Sequence, residues 1–303
     1  MASKDTIKGP FDYISYLGLG MLALCFGSSF YFTALALSGF SVAATGAARI
    51  IVAAMFLVTL SMATGQGLPR TLVAWMWSTG FGVVAWVAPF LLLAWAQTRI
   101  PTNVLGAFFA AIPLMILFLS WAILKTGVSV RKWIGLAVGS VGLILLAGPG
   151  TLSQIGTTNE YMAQIAVFLA TAGFAAGAII IRLMPSPSAM QATAGAALAS
   201  AIIAVPILIV ELPGARFGVV PILGVLGVGI VSTGIGQFLR FFLIRRCGPV
   251  FIVPNGYLTA IITAVLGAAF LGESPTLSAM LSFAVIVAGL AIASDGSGRM
   301  KQV

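Results

Sequence analysis

Few of the 303 residues carry side chains able to do chemistry, and most of those stand inside apolar runs. Arg49 follows Ala47 and Ala48 well within one such run. A guanidinium offers five N–H donors in a planar fork that matches a carboxylate. In an apolar medium a lone Arg costs several kcal/mol unless it is paired or wet, so its presence there is a functional hypothesis by default. Two roles fit: a bidentate contact to a ligand carboxylate, or an anchor that bonds helix-end carbonyls. Arg240 stands about one turn before Arg245 and is expected to snorkel towards a basic surface. Trp86, three residues before Pro89, and Tyr31 each combine an aromatic face with a polar tip. Stacking on an aromatic ligand or packing between helices would satisfy either one.

Other polar steps recur in the same manner. Ser28, Ser29 and Thr33 share one run, Ser78 and Thr79 another, and Ser232, Thr233 and Gln237 a third. Pro254, Asn255, Tyr257 and Thr259 lie within six residues of each other. Proline removes a backbone donor and frees a carbonyl one turn earlier, and polar neighbours can re-satisfy it. Pro89, Pro113 and Pro254 are the expected helix breaks. Ser and Thr also bond their own helix or join neighbouring helices. The candidate ligand-binding set is Ser28, Tyr31, Ser78, Trp86, Ser232, Gln237, Asn255, Tyr257 and Thr259, with Arg49 as contact or anchor.

Several kinds of chemistry are excluded. The chain has no His, and its acids Asp5, Asp12, Glu160, Glu211, Glu273 and Asp295 all fall at run ends or in tails. No base–nucleophile pair and no metal-ligand spacing exists, so neither an enzyme nor a metal or cofactor is expected. A carboxylate or His relay for protons is equally unsupported. The five Lys lie outside the runs, against a retinal-type Schiff base. Cys25 and Cys247 form no disulfide framework.

The elements that must hold these residues follow from composition. The chain is 60% hydrophobic and 7% charged, with mean hydropathy +1.15. A soluble domain carries about 25% charged residues, so the surrounding solvent is lipid. A hydrocarbon core about 30 Å thick takes about 20 apolar residues of helix. The apolar runs are 13–36, 42–64, 72–96, 102–124, 132–149, 162–182, 189–210, 218–243, 250–271 and 276–294, which predicts ten transmembrane helices. Trp75, Trp95, Trp121 and Trp133 fall near run ends, where interfacial anchors belong. Gly18, Gly20 and Gly27 in the first run, and Gly224, Gly227, Gly229, Gly234 and Gly236 in the eighth, predict close helix approach.

With the N-terminus inside, eleven of the fifteen Lys and Arg fall in inside segments, and two, Arg99 and Arg216, fall outside. Such a bias orients multi-span proteins and predicts both termini in the cytoplasm. The net charge of +9 is spread over short gaps and forms no basic patch for nucleic acid. The first run is too long for the apolar region of a cleavable signal peptide.

A gap-free shift of 147 residues lays Leu119, Ala122, Leu124, Ala137, Val138, Gly142 and Leu143 on Leu266, Ala269, Leu271, Ala284, Val285, Gly289 and Leu290. Arg99 falls on Arg246. Five helices per copy is odd, so the second copy enters the membrane from the opposite side. That is an inverted repeat, an arrangement common in carriers that alternate access around a midplane site. The expected organisation is a cytoplasmic tail (1–12), a first five-helix repeat (13–149), an outside linker (150–161), a second repeat (162–294) and a cytoplasmic tail (295–303).

Short motifs now carry a resemblance. Phe26-Gly27-Ser28-Ser29-Phe30 resembles the Trp-Gly-Ser-Asn-Phe step of EamA-type proteins in the drug/metabolite transporter superfamily. Ala47-Ala48-Arg49-Ile50 resembles that family's Ala-Arg-Phe step, and Ala111-Ile112-Pro113-Leu114 its Pro-containing fourth span. Leu271-Gly272-Glu273, followed by the span with Gly289-Leu290, resembles its repeat ending. Two positions depart: Lys125-Thr126 stands where the family often has Gly-Glu, and Ala260 stands where Pro113 would predict Pro. Among its members the chain looks most like bacterial aromatic amino-acid exporters. The resemblance implies an all-α fold with a central cavity lined by the first, third, fourth, sixth, eighth and ninth spans, and leaves the second span outside it. It implies a monomer in the bacterial inner membrane that exports apolar amino acids, with lipids and the small-molecule substrate as its only partners. Other metabolites, nucleosides and quaternary amines, or proton antiport, are the alternatives.

Overall fold

Inside hydrocarbon every backbone N–H and C=O needs a partner within the protein, which confines a spanning chain to helices or closed barrels. The structure is a computed structural model that describes residues 13–97, 99, 111–146, 161–185, 188–270 and 277–294, and these are helical apart from short joints. The first repeat contributes α1 (Tyr13–Leu37), α2 (Val42–Ala63), α3, α4 (Ile112–Leu124) and α5 (Val130–Leu146). The second contributes α6 (Tyr161–Leu183), α7 (Ala189–Glu211), α8, α9 (Asn255–Phe270) and α10 (Leu277–Ser294). Helix α3 runs through Leu72–Gly82, a π-helical stretch Val83–Val87, and Ala88–Gln97. Helix α8 does likewise through Val219–Leu226, a π-helical stretch Gly227–Ile235, and Gly236–Cys247. Among the described residues, six helices are long and apolar enough to cross a membrane, and shorter apolar helices accompany them.

The repeat is visible in where the helices start. Val42 and Ala189, Leu72 and Val219, and Val130 and Leu277 open paired helices at the same 147-residue offset. Local chemistry explains part of this. Ser41 caps α2 by accepting the Ala44 N–H at 3.0 Å, and its counterpart Ser188 caps α7 by accepting the Gln191 N–H at 3.0 Å. A side-chain oxygen there satisfies a donor that the first helical turn leaves open. The π stretch of α3, shifted by the same offset, falls inside that of α8. Pro89 follows the first of these stretches directly, so its missing N–H is absorbed by a widened turn. No proline accompanies the second, which holds Gly227, Gly229 and Gly234 instead.

Packing obeys the same symmetry. Helix α1 packs on α8 and α9, as α6 packs on α3 and α4. Helix α2 pairs with α7, and α5 with α10. The six helices that the resemblance places around a cavity therefore pack as two triplets, α1 with α8 and α9 and α6 with α3 and α4, and the α2–α7 couple also contributes to the buried core. The α5–α10 seam brings backbone to backbone. A Cβ on Gly289 would lie 2.5 Å from the Gly139 nitrogen, and one on Gly142 would meet Ile286. In α8, Gly224 faces the α1 backbone, Gly227 the Phe32 ring and Gly229 Val52 of α2. Gly20 has open space around its Cα, so the packing role expected for it is not realised.

The ends carry the polar joints. Glu211 at the end of α7 accepts a 2.5 Å hydrogen bond from the Ser41 hydroxyl. Arg182 donates to the Arg245 carbonyl at 2.9 Å, and Arg245 donates to the Met184 carbonyl at 3.1 Å. These two bonds knit the C-terminal ends of α6 and α8, where unpaired carbonyls accumulate. Trp121 is exposed, and exposed Trp95 lies 4.1 Å under the Arg99 guanidinium. Lys125, the departure from the family's Gly, terminates α4 with φ of 54°. That left-handed conformation suits glycine and is unfavourable for a side chain bearing Cβ. Gly272, its repeat counterpart, lies outside the described residues.

Two outcomes follow for stability, read as thermal unfolding of the detergent-solubilised protein. Lys125→Gly should raise the melting temperature, by the equivalent of about 1 kcal/mol or less, since αL relief exceeds the extra unfolded-state freedom. An unchanged or lower value would mean that Lys125 makes a compensating contact. Gly289→Ala should lower it by more than about 1 kcal/mol through overpacking, whereas Gly20→Ala should leave it equal or higher.

Candidate functional site

Two arginines lie inside the bundle, each bonded across helices. Arg49 leaves α2 and points towards the inner helices. Its Nε donates to Thr233 Oγ1 of α8 at 3.0 Å, and its Nη2 donates to Ser29 Oγ of α1 at 3.4 Å. Its guanidinium lies 4.7 Å from the centre of the Phe90 ring of α3, a cation–π distance. One side chain thus joins helices of both repeats. Thr233 is fixed by its own bond to the Val228 carbonyl at 2.9 Å, which the widened turn of α8 makes available. The anchor role predicted for Arg49 involved helix-end carbonyls; in the structure its partners are hydroxyls and a ring. Among the described residues no carboxylate lies within ion-pair distance of it. Phe90 also lines a cavity of about 20 Å³ between α2, α3 and α7, with Gly46, Ile50 and Ala204. That volume holds one water at most.

Arg240 contradicts its expectation. It does not snorkel: the side chain is buried, and Nη2 donates to the Phe174 carbonyl of α6 at 2.7 Å. Its place one turn from Arg245 suggested an exit to the surface, but the side chain turns to the Phe174 carbonyl of α6, beside Gly177, which is packed by Ala85 and Phe81. A Cβ at Gly177 would lie 3.7 Å from Arg240 Nη2 and 2.5 Å from the Ala85 Cβ.

The remaining candidates separate by environment. Trp86 is fully buried and meets Phe81 edge-on at 5.5 Å, while Phe81 meets Phe241 at 4.8 Å. The Trp86 indole N–H, Ser232 Oγ, Gln237 Oε1, Asn255 Oδ1 and Thr259 Oγ1 are buried without a hydrogen-bond partner. Buried polar atoms are normally paired, so these groups on α3, α8 and α9 retain capacity for a ligand. Ser28 turns back to the Cys25 carbonyl of its own helix at 3.0 Å, while its neighbour Ser29 reaches Arg49. Tyr31 packs among Phe32 and the exposed Phe270, away from the arginines' partners. Ser78 is buried against Gly195 of α7, with its hydroxyl unpaired.

Tyr257 takes a different part from the one expected. Its hydroxyl donates to the Leu136 carbonyl of α5 at 2.8 Å and lies 3.3 Å from Ser140 Oγ. The ring covers Gly139, so this residue joins α9 to α5. Pro254 does not break a helix either; it precedes α9, and its carbonyl accepts the Leu258 N–H at 3.2 Å. Pro113 occupies the first turn of α4, where a missing N–H costs nothing. Sequence reasoning passed over Thr263, which donates to the Gly27 carbonyl at 3.3 Å across the α1–α9 seam.

The comparisons with known proteins agree with this architecture. The EamA-like transporter family matches the chain twice, over residues 14–148 and 161–294. The chain belongs to that family. A relative named uncharacterized inner membrane transporter YedA, from Escherichia coli (strain K12), is 25% identical over 205 residues. That match spans 65% of this chain and 63% of the relative's length. A WAT1-related protein of Arabidopsis thaliana is 31% identical over 75 residues, 25% of this chain and 19% of its own. One crystal structure superposes with a TM-score of 0.79 at 18% identity, covering 93% of this chain and 96% of that one, and it shows the fold alone.

Tyr257→Phe should lower thermal stability by about 1 kcal/mol, the usual worth of one buried hydrogen bond, because the Leu136 carbonyl loses its donor. If the hydroxyl instead contacts the transported solute, stability will hold and ligand affinity will fall.

Proposed function

We propose that this chain is a carrier of small carboxylate-bearing organic solutes, first among them amino acids with apolar or aromatic side chains. It exports them across a bacterial inner membrane by alternating access, as facilitated diffusion or exchange. The observation that carries this reading is Arg49: a charged fork inside the bundle, held by Ser29 and Thr233 and backed by Phe90, with no acid beside it among the described residues. Two hydroxyls and a ring orient the guanidinium without neutralising it. The planar fork then has N–H groups left to grip a carboxylate, and the neighbouring aromatics suit an apolar side chain. A quaternary amine meets repulsion from two buried guanidiniums, and a nucleoside brings no anion to them. The inverted repeat supplies two mirror-related halves that can rock about this point. The basic bias of the inner segments supports cytoplasmic termini, and the protein works as a monomer in this reading.

The test is counterflow of labelled L-phenylalanine in proteoliposomes. Wild-type protein should show saturable exchange. Arg49→Met should reduce kcat/KM by about tenfold to a hundredfold, the worth of a charged hydrogen bond. Its melting temperature should stay equal or rise, because an uncompensated buried charge is removed and Thr233 keeps the Val228 carbonyl. Undiminished exchange by Arg49→Met, or no exchange of any amino acid by the wild type, would refute the reading.

A further inference from the structure

Arg240 is the buried cation that the Arg49 site does not use. It is 6% exposed, it makes one hydrogen bond to the Phe174 carbonyl, and no carboxylate lies within ion-pair distance of it among the described residues. A brace between α8 and α6 needs one donor. Asn or Gln would supply it without burying a charge, so the bond to Phe174 does not account for a guanidinium. Two further buried groups with unpaired polar atoms belong to the same region, Gln237 on the same helix and Trp86 one ring away. Gln237 lies one turn earlier on the same face of α8 and is 7% exposed, with Oε1 unpaired. Trp86 is fully buried with its indole N–H unpaired, and it belongs to the Phe81–Phe241 cluster that adjoins Arg240 through Gly177.

Position along α8 gives this cluster its meaning. Thr233, the partner of Arg49, and Arg240 are seven residues apart on the same helix, about 10 Å along its axis, with the end of the π-helical stretch between them. Arg49 is held by α1, α2 and the outer part of α8; Arg240 is held by α6 and the part of α8 that runs into Arg245 and Arg246. We propose that Arg240 and the Trp86 indole N–H, as donors to a carboxylate, and Gln237 Oε1, as acceptor from the ammonium of the same amino acid, form a second binding station, nearer the basic face than Arg49. A carboxylate entering from that face binds Arg240 first and passes to Arg49 when the halves rock. This inference rests on the carboxylate reading of the preceding section and adds the second station to it.

The probes are L-phenylalanine and L-phenylalaninamide, which differ at the carboxylate. KM is measured in oriented proteoliposomes from each face in turn. Arg240→Gln should raise the KM for phenylalanine about tenfold or more from the basic face, with a smaller change from the other face and none for the amide. Arg240→Lys should restore part of the loss, and Gln237→Leu should reproduce its sidedness at smaller size. A purely bracing Arg240 predicts equal losses for both probes and from both faces, and that outcome overturns the second station. Should Arg240→Gln fail to fold, an unchanged KM from both faces in Gln237→Leu overturns it instead. A wild-type protein that does not prefer phenylalanine to its amide, failure to transport either included, overturns both carboxylate readings. Loss of that preference in Arg49→Lys, with its retention on both faces in the Arg240 and Gln237 variants, removes the second station alone.

Discussion

A buried donor in this bundle has few places to go. Acids are nearly absent from the interior, and most backbone N–H groups are already committed to their own helices. The groups with spare capacity are helix carbonyls, each of which has two lone pairs. The polar joints of the structure use them. Tyr257 donates to Leu136, Arg240 to Phe174 and Thr263 to Gly27. Each of these bonds ties one helix to the backbone of another, so the helices are registered by side chains that have few other partners in hydrocarbon. The scarcity of acids therefore shapes the packing as well as the charge.

The two π-helical stretches belong to the same accounting. A widened turn brings residues five apart over one another and shifts the helix face that follows. In α8 the Val228 carbonyl accepts the Thr233 hydroxyl, and that hydroxyl accepts the Arg49 Nε–H. In α3 the stretch ends at Trp86 and Val87, and Phe90 then follows under the guanidinium. Both repeats contribute a distorted helix to one arginine. Their small residues lie on opposite partners: α8 carries its own glycines against α1 and α2, whereas α3 is approached by Gly173 and Gly177 from α6. The symmetry holds at the level of contacts and not of residue types, which is why a residue-by-residue alignment of the halves is faint across α3 and α8.

The order and extent of the helices were legible from apolar runs and gap composition, because membrane thickness fixes helix length and the gaps must hold the charges. The 147-residue shift that lays Gly142 on Gly289 marked the repeat, whereas the α5–α10 seam in which both glycines sit emerged only with the packing. Side-chain direction was not legible either. Arg240 and Arg245 differ by little more than one turn in sequence, yet one is buried on Phe174 and the other reaches the end of α6. What separates them is the Phe174 carbonyl on a helix sixty-six residues earlier, a contact that no local pattern encodes. Arg49 was found by type and depth, whereas its hydroxyl partners, one on each repeat, emerged only with the packing. Tyr257 looked like a ligand contact because it shares a polar, proline-interrupted stretch with Pro254, Asn255 and Thr259; its hydroxyl's partner is on α5.

Arg49 and Arg240 also limit what the interior can be. Burial of a guanidinium is tolerated when its donors are bonded or when an anion balances it. The described structure provides the first in part and the second not at all. Neutral hydroxyls and carbonyls orient these groups and leave their charge in place. In the proposed reading a carboxylate is what balances that charge, and a cation is disfavoured beside it. Selection by the sign of charge would then arise from two residues and the absence of any acid beside them in the described bundle. Shape and aromatic packing around Trp86, Phe81 and Phe90 would choose among carboxylates.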